Sequence, residues 1–61
     1  MPFVRIGRVG REHFGCEVYM DEECWVKLIP DDVRSIVLTP EEFWQLRRLV
    51  EKSLVKCLQR L

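Results

Sequence analysis

The stretch Thr39-Pro40-Glu41-Glu42-Phe43-Trp44-Gln45-Leu46-Arg47-Arg48-Leu49-Val50, continued through Leu61, decides how the chain reads. Thr39 has the short side-chain oxygen of an N-cap. Pro40 suits the first helical position, where a missing N–H costs nothing, and Glu42 stands where it can close a capping box. Glu41 and Glu42 lie at the positive end of the helix dipole, Lys56 and Arg60 towards the negative end. No Pro or Gly interrupts residues 41–61, so the sequence predicts one helix over about 40–61.

At 100° per residue, Phe43, Leu46, Val50, Leu54, Cys57 and Leu61 share one stripe, flanked by Leu49 and Leu58, with Trp44 and Val55 further round. That arc is wider than one small sheet requires. It is explained either by a helix that caps its own sheet and leaves Trp44 exposed, or by a partner. Size favours the partner. A chain of 61 residues buries only about 60% of its unfolded surface, and chains this short gain stability from disulfides, a metal or a second copy.

The cysteines, Cys16, Cys24 and Cys57, are odd in number, and residues 1–7 hold no apolar run of signal-peptide length. The expectation is three reduced thiols and an intracellular location, cytoplasmic in a prokaryote or phage-infected cell and nuclear in a eukaryote. His13, Cys16 and Cys24 are too few and too irregularly spaced for a closed zinc site, so no metal or other cofactor is expected. A two-fold homodimer remains, built on Phe43, Trp44, Leu46, Val50, Leu54, Cys57 and Leu61.

Ahead of the helix the pattern changes to the period of strands. Phe14, Cys16, Val18 and Met20 alternate with His13, Gly15, Glu17, Tyr19 and Asp21. A turn at 21–23 leads to Cys24, Val26 and Leu28 alternating with Trp25, Lys27 and Ile29. Pro30-Asp31-Asp32 breaks that strand. Residues 34–38 read as a last strand and 3–6 as a first. The expected architecture is α+β in a single domain over 1–61: a four-stranded antiparallel sheet within 3–38, then one C-terminal helix through which the chain dimerises.

One set of strand residues, Cys16, Val18, Met20, Val26, Leu28, Ile36 and Leu38, is apolar and should meet the helix. The opposite set, His13, Tyr19, Trp25, Lys27 and Ser35, mixes aromatic with polar and basic groups. Such a face suits unpaired bases, because rings stack on any base and cations follow phosphates, although aromatic cross-strand packing gives the same pattern. Ten Lys and Arg balance ten Asp and Glu, so any basic character is local, as in Arg5, Arg8 and Arg11 with Gly7 and Gly10 between them. Asp21, Glu22, Glu23, Asp31 and Asp32 read as solvated turn carboxylates. No nucleophile with its base, P-loop or dinucleotide fingerprint is present, so no catalytic residue and no enzyme is expected.

Taken in order, Ile6-Gly7-Arg8, Phe14-Gly15, Trp25 and Ile36-Val37-Leu38-Thr39 followed by Glu41, Phe43 and Leu46 span nearly the whole chain. This order resembles the single-stranded-DNA-binding domain of the positive cofactor four family, a eukaryotic transcriptional coactivator with bacterial and phage relatives. The resemblance implies a homodimer joined by its helices, with grooves for single-stranded DNA on the sheets. It further implies that Phe14 and Trp25 contact DNA and that Arg34 stands for the basic loop. Alternation puts Phe14 on the apolar face, and a bulge near Gly15 is needed to turn it outward. Where the family has lysines around the Gly after that Phe, this chain has Gly15-Cys16-Glu17.

The sequence thus predicts a dimeric single-stranded-DNA-binding protein of transcription, replication or recombination, with replication or transcription proteins as further partners and no membrane. Arg5, Arg8, Arg11, Lys27 and Arg34 should meet phosphates, and Trp25 with Tyr19 or Phe14 should stack on bases. The alternatives are a dimeric protein-interaction adaptor and a single-stranded RNA binder that use the same face.

Overall fold

The computed structural model describes residues 2–61. Three strands, β1 (Val4–Val9), β2 (Cys16–Met20) and β3 (Val26–Pro30), form an antiparallel sheet in the order β1-β2-β3, and one helix, α1 (Pro40–Arg60), follows. The class is α+β, as expected.

The helix starts as its sequence dictates. Thr39 Oγ1 accepts from the Glu42 amide at 3.1 Å, and the Glu42 carboxylate accepts from the Thr39 amide at 2.8 Å, a closed capping box. The Thr39 amide is also the main reason the Glu42 carboxyl lies below its ordinary range. No helix is long and apolar enough to cross a membrane among the described residues.

Alternation in β2 is as read: Cys16, Val18 and Met20 are buried, whereas Glu17 and Tyr19 are half-exposed on the other face. In β1 a bulge changes the parity. Arg5 pairs with Tyr19 and Gly7 with Val18, leaving Ile6 as the extra residue. The bulge puts Arg5 and Arg8, three positions apart, on one face of the sheet, and aims Gly7 at the helix. A Cβ at Gly7 would stand 2.8 Å from Leu49 Cδ2, so the helix lies close over β1. Leu46, Leu49, Val50, Ser53 and Leu54 are half-buried, and Val9, Cys16, Val18, Met20 and Cys57 form the buried core. Because α1 runs over β1, Val26 and Leu28 stay about 40% exposed although their register partners Met20 and Val18 are buried.

The expected fourth strand at 34–38 does not form. Asp32 Oδ1 accepts from the Arg34 amide at 2.9 Å, and Asp32 and Ser35 make a single bridge, so a tight turn uses the backbone groups a strand would need. Val33, at its tip, is 96% exposed. The chain then crosses the β1–β2 hairpin instead of pairing with β3, with one hydrogen bond from the Val37 amide to the Phe14 carbonyl at 2.8 Å.

The hairpin beneath that crossing depends on two glycines. Gly10 adopts φ +98°, and a Cβ there would meet Gly15 Cα at 2.6 Å; a Cβ on Gly15 would meet the Val9 carbonyl at 2.2 Å.

The cysteines differ from expectation. Cys24 and Cys57 are joined in a disulfide with Cα atoms 5.9 Å apart, and only Cys16, fully buried, is a free thiol. Counting cysteines could not reveal this, because the pair is made by tertiary packing: the last turns of α1 lie against the β2–β3 turn. In the chain-entropy account, closing a loop of 33 residues stabilises by about 4 kcal/mol. The expectation of three reduced thiols falls with it.

Candidate nucleic-acid interface

The sheet face away from α1 is ordered in rows by the strand register. Arg5, Tyr19 and Lys27 stand side by side across β1, β2 and β3, and Arg8, Glu17 and Ile29 form the next row. Neighbouring strands are about 4.8 Å apart, so Tyr19 lies between two cationic side chains. Beyond the first row, the Asp21 amide donates to the Trp25 carbonyl at 3.2 Å, which carries the register on to Trp25. Phe3 joins from the start of β1, and Lys27 Nζ lies 5.0 Å from the centre of its ring.

Trp25 lies just before β3 and not inside it. Cys24 takes φ +70°, and Asp21 Oδ1 accepts from the amides of Glu23 at 3.0 Å and Trp25 at 2.9 Å. Asp21 is therefore the organiser of this turn and not merely a solvated carboxylate. The result is an indole 66% exposed at the edge of the aromatic group.

The two other carboxylates near the face are also engaged. Arg5 and Arg8 both donate to Glu17, Arg8 at 3.1 Å, and Arg8 donates in addition to both oxygens of Asp31. Asp31 Oδ2 accepts from the Gly15 amide at 3.2 Å. Asp31, expected as a solvated turn residue, is thus the main partner of Arg8. Donating to Asp31 and then to Glu17 raises the Arg8 pKa, Arg8 holds the Asp31 carboxyl low, and Arg5 followed by Arg8 does the same for Glu17.

Phe14 and Arg11 are set apart from this group. The amides of Phe14 and Gly15 both donate to the Arg11 carbonyl, and His13 takes φ +70°. Phe14 therefore sits in a turn two residues before β2 begins, half-exposed, neither on the apolar face nor turned out by a bulge. Arg11 Cζ lies 5.4 Å from its ring centre, and Arg11 Nε is 3.8 Å from a Glu42 oxygen. Phe14 and Trp25 are separated by the length of β2. Arg34 is exposed in the 31–35 turn, outside the three strands. Of the expected site residues, the fold brings together Arg5, Arg8, Tyr19, Trp25 and Lys27. It adds Phe3, whose place two residues before Arg5 was the available signal, and leaves out Arg11, Phe14 and Arg34.

The expected dimer residues also divide. Cys57 is buried and bonded within its own chain, and Leu46, Val50 and Leu54 pack half-buried in the same fold, so this part of the stripe is the chain's own core face. Phe43, Trp44 and Leu61 remain exposed, together with Val55 and Leu58. Arg47 crosses this arc, its guanidinium 4.8 Å from the Trp44 ring centre and 2.8 Å from Glu51.

Comparison of the chain with family models, with curated proteins and with solved structures finds no match.

Proposed function

We propose that this protein binds single-stranded nucleic acid on the open face of its sheet, DNA in preference to RNA, and that two chains act together as a homodimer. The observation that carries this reading is the grouping of Phe3, Tyr19 and Trp25 with Arg5 and Lys27 on one exposed face. Rings of this kind stack on unpaired bases, and the cations beside them follow the backbone. The preference for DNA rests on the resemblance to the positive cofactor four family. Phe43, Trp44, Val55, Leu58 and Leu61 supply the apolar surface for the second copy. Such a dimer works where single strands are exposed in transcription, replication or recombination, in a prokaryotic or infected cell or in a nucleus.

One observation favours the adaptor reading: Arg5 and Arg8 are largely neutralised by Glu17 and Asp31, which weakens the pull on phosphates. A titration against labelled single-stranded DNA, RNA and duplex of equal length decides between them. Under the nucleic-acid reading, Trp25→Ala lowers single-strand affinity by roughly 1–3 kcal/mol and leaves the salt dependence unchanged, because it removes a stacking surface and no charge. Duplex binding, with its bases already stacked, changes far less. If the folded Trp25→Ala protein binds single strands as well as the parent, the sheet face is not a stacking platform and the adaptor reading takes its place.

A further inference from the structure

We propose that the Cys24–Cys57 disulfide is a redox control on the aromatic face: oxidised, it holds the turn that presents Trp25; reduced, it releases that turn and weakens single-strand binding. The proposal rests on the nucleic-acid reading for its consequence and on the fold alone for its mechanism.

The mechanism follows from what is attached to what. Cys24 immediately precedes Trp25 and sits at φ +70°, a backbone region that a non-glycine residue keeps only where its surroundings enforce it. The enforcing groups are few: the Cys24 amide to the Asp21 carbonyl at 3.1 Å, the Asp21 side chain, and the bond to Cys57. The helix rests on β1, and the β3 side of the sheet is left open, so the disulfide is the covalent tie between the β2–β3 turn and α1. Cys57 Sγ also touches the Asp21 and Glu22 carbonyl oxygens at 3.8 and 3.7 Å, contacts that position the turn although a disulfide sulfur has no hydrogen to donate.

Access and chemistry suit a reversible bond. A cavity of about 720 Å³, lined by Val4, Ile6, Met20, Lys56 and Arg60, reaches Cys57. A small dithiol can attack there: its thiolate displaces one protein sulfur to give a mixed disulfide, and its second thiol closes on the first. Two electrons and two protons pass to the protein, which gains two thiols, and the dithiol becomes a cyclic disulfide. Cys16, fully buried, stays out of the exchange. In a cell interior, where single-stranded DNA is found, disulfides are chiefly transient or redox-sensing and not permanent staples.

The test uses the full chain in oxidised and dithiothreitol-reduced forms, with Cys24→Ser and Cys57→Ser. Thiol titration after unfolding should give one thiol in the oxidised chain and three in the reduced. Binding of a labelled oligothymidylate should weaken about tenfold on reduction if the released turn holds its geometry about a tenth of the time. Both variants should match the reduced parent and no longer respond to reductant. Hydrogen exchange at the Glu23 and Trp25 amides should speed up on reduction with or without oligonucleotide. That last readout separates the two ideas: lost protection without binding in either state retains the control and sinks the nucleic-acid reading. Three thiols remaining after the purified chain has been treated with a mild disulfide oxidant would overturn the proposal, as would equal amide protection in both states.

Discussion

Arg8 holds Asp31 through both ends of its guanidinium, Nη1 to Oδ1 at 2.6 Å and Nη2 to Oδ2 at 2.5 Å, and so ties β1 to the chain leaving β3 across the intervening strand. The same guanidinium donates to Glu17 and, at 3.1 Å, to the Arg11 carbonyl. Both carboxyls are held below their ordinary values, so their contribution to stability is complete above the unfolded values of about 4. It is lost as the pH falls from there through the lower folded values. Urea unfolding from pH 5.5 down to pH 3 should show declining stability over that window, and Arg8→Gln should flatten the decline. An equal slope in the variant would show that this network does not govern acid stability.

Engagement of the arginines separates them from Lys27 in binding. Among the described residues Lys27 makes no ion pair, its ammonium lying only over the Phe3 ring. Lys27→Gln should make the slope of log affinity against log salt shallower by about 0.7, the value for one phosphate contact on a single strand. Arg8→Gln should move that slope much less while it lowers stability. Titrations at four salt concentrations measure both.

Position on the sheet separates the phenylalanines. Phe3 belongs to the Trp25 end, and Phe14 lies in the turn at the far end of β2 under Arg11. Phe3→Ala should weaken single-strand binding by roughly 1 kcal/mol, the low end for one stacking ring, and Phe14→Ala should leave it nearly unchanged. The reverse order would put the binding surface at Phe14, one of the two aromatic residues that the family resemblance implies.

The Gly10–Gly15 contact leaves no room for a methyl group. A Cβ at Gly15 meets backbone atoms of Val9 and Gly10, which cannot rotate aside. Gly15→Ala should cost about 1–3 kcal/mol or more, the range for overpacking in a tight site, visible as a lowered urea midpoint. Gly7→Ala should cost less, because its neighbour is the flexible end of Leu49.

Self-association should depend on the outer arc of α1 and not on the stripe beneath it. Leu58→Glu, at an exposed position, should shift sedimentation from dimer to folded monomer. Val50→Asp should instead unfold the chain, since Val50 is half-buried in its own fold. A monomeric parent at micromolar concentration would remove the dimer from the functional reading.

The capped helix and the alternation of Cys16, Val18 and Met20 were legible from the residues alone, because each rests on interactions within a few positions along the chain. Thr39 and Glu42 are three residues apart, and a strand's two faces follow from its period. The aromatic and basic residues of β2 and β3 were readable for the same reason. What depended on distant partners was not. The bulge at Ile6 appears only once β1 has a register against β2, and that register decides that Arg5 and Arg8 share a face with Tyr19. Residues 34–38 have strand composition, yet the Asp32 turn sends them across the β1–β2 hairpin, where the Val37 amide bonds to Phe14 in the connecting turn and not to a strand. Which part of the helical stripe is core and which cysteine meets which were decided by how the helix lies over β1, and that Asp31 answers Arg8 was decided by the register of the three strands. Those contacts join residues more than twenty positions apart, and local sequence carries no signal for them.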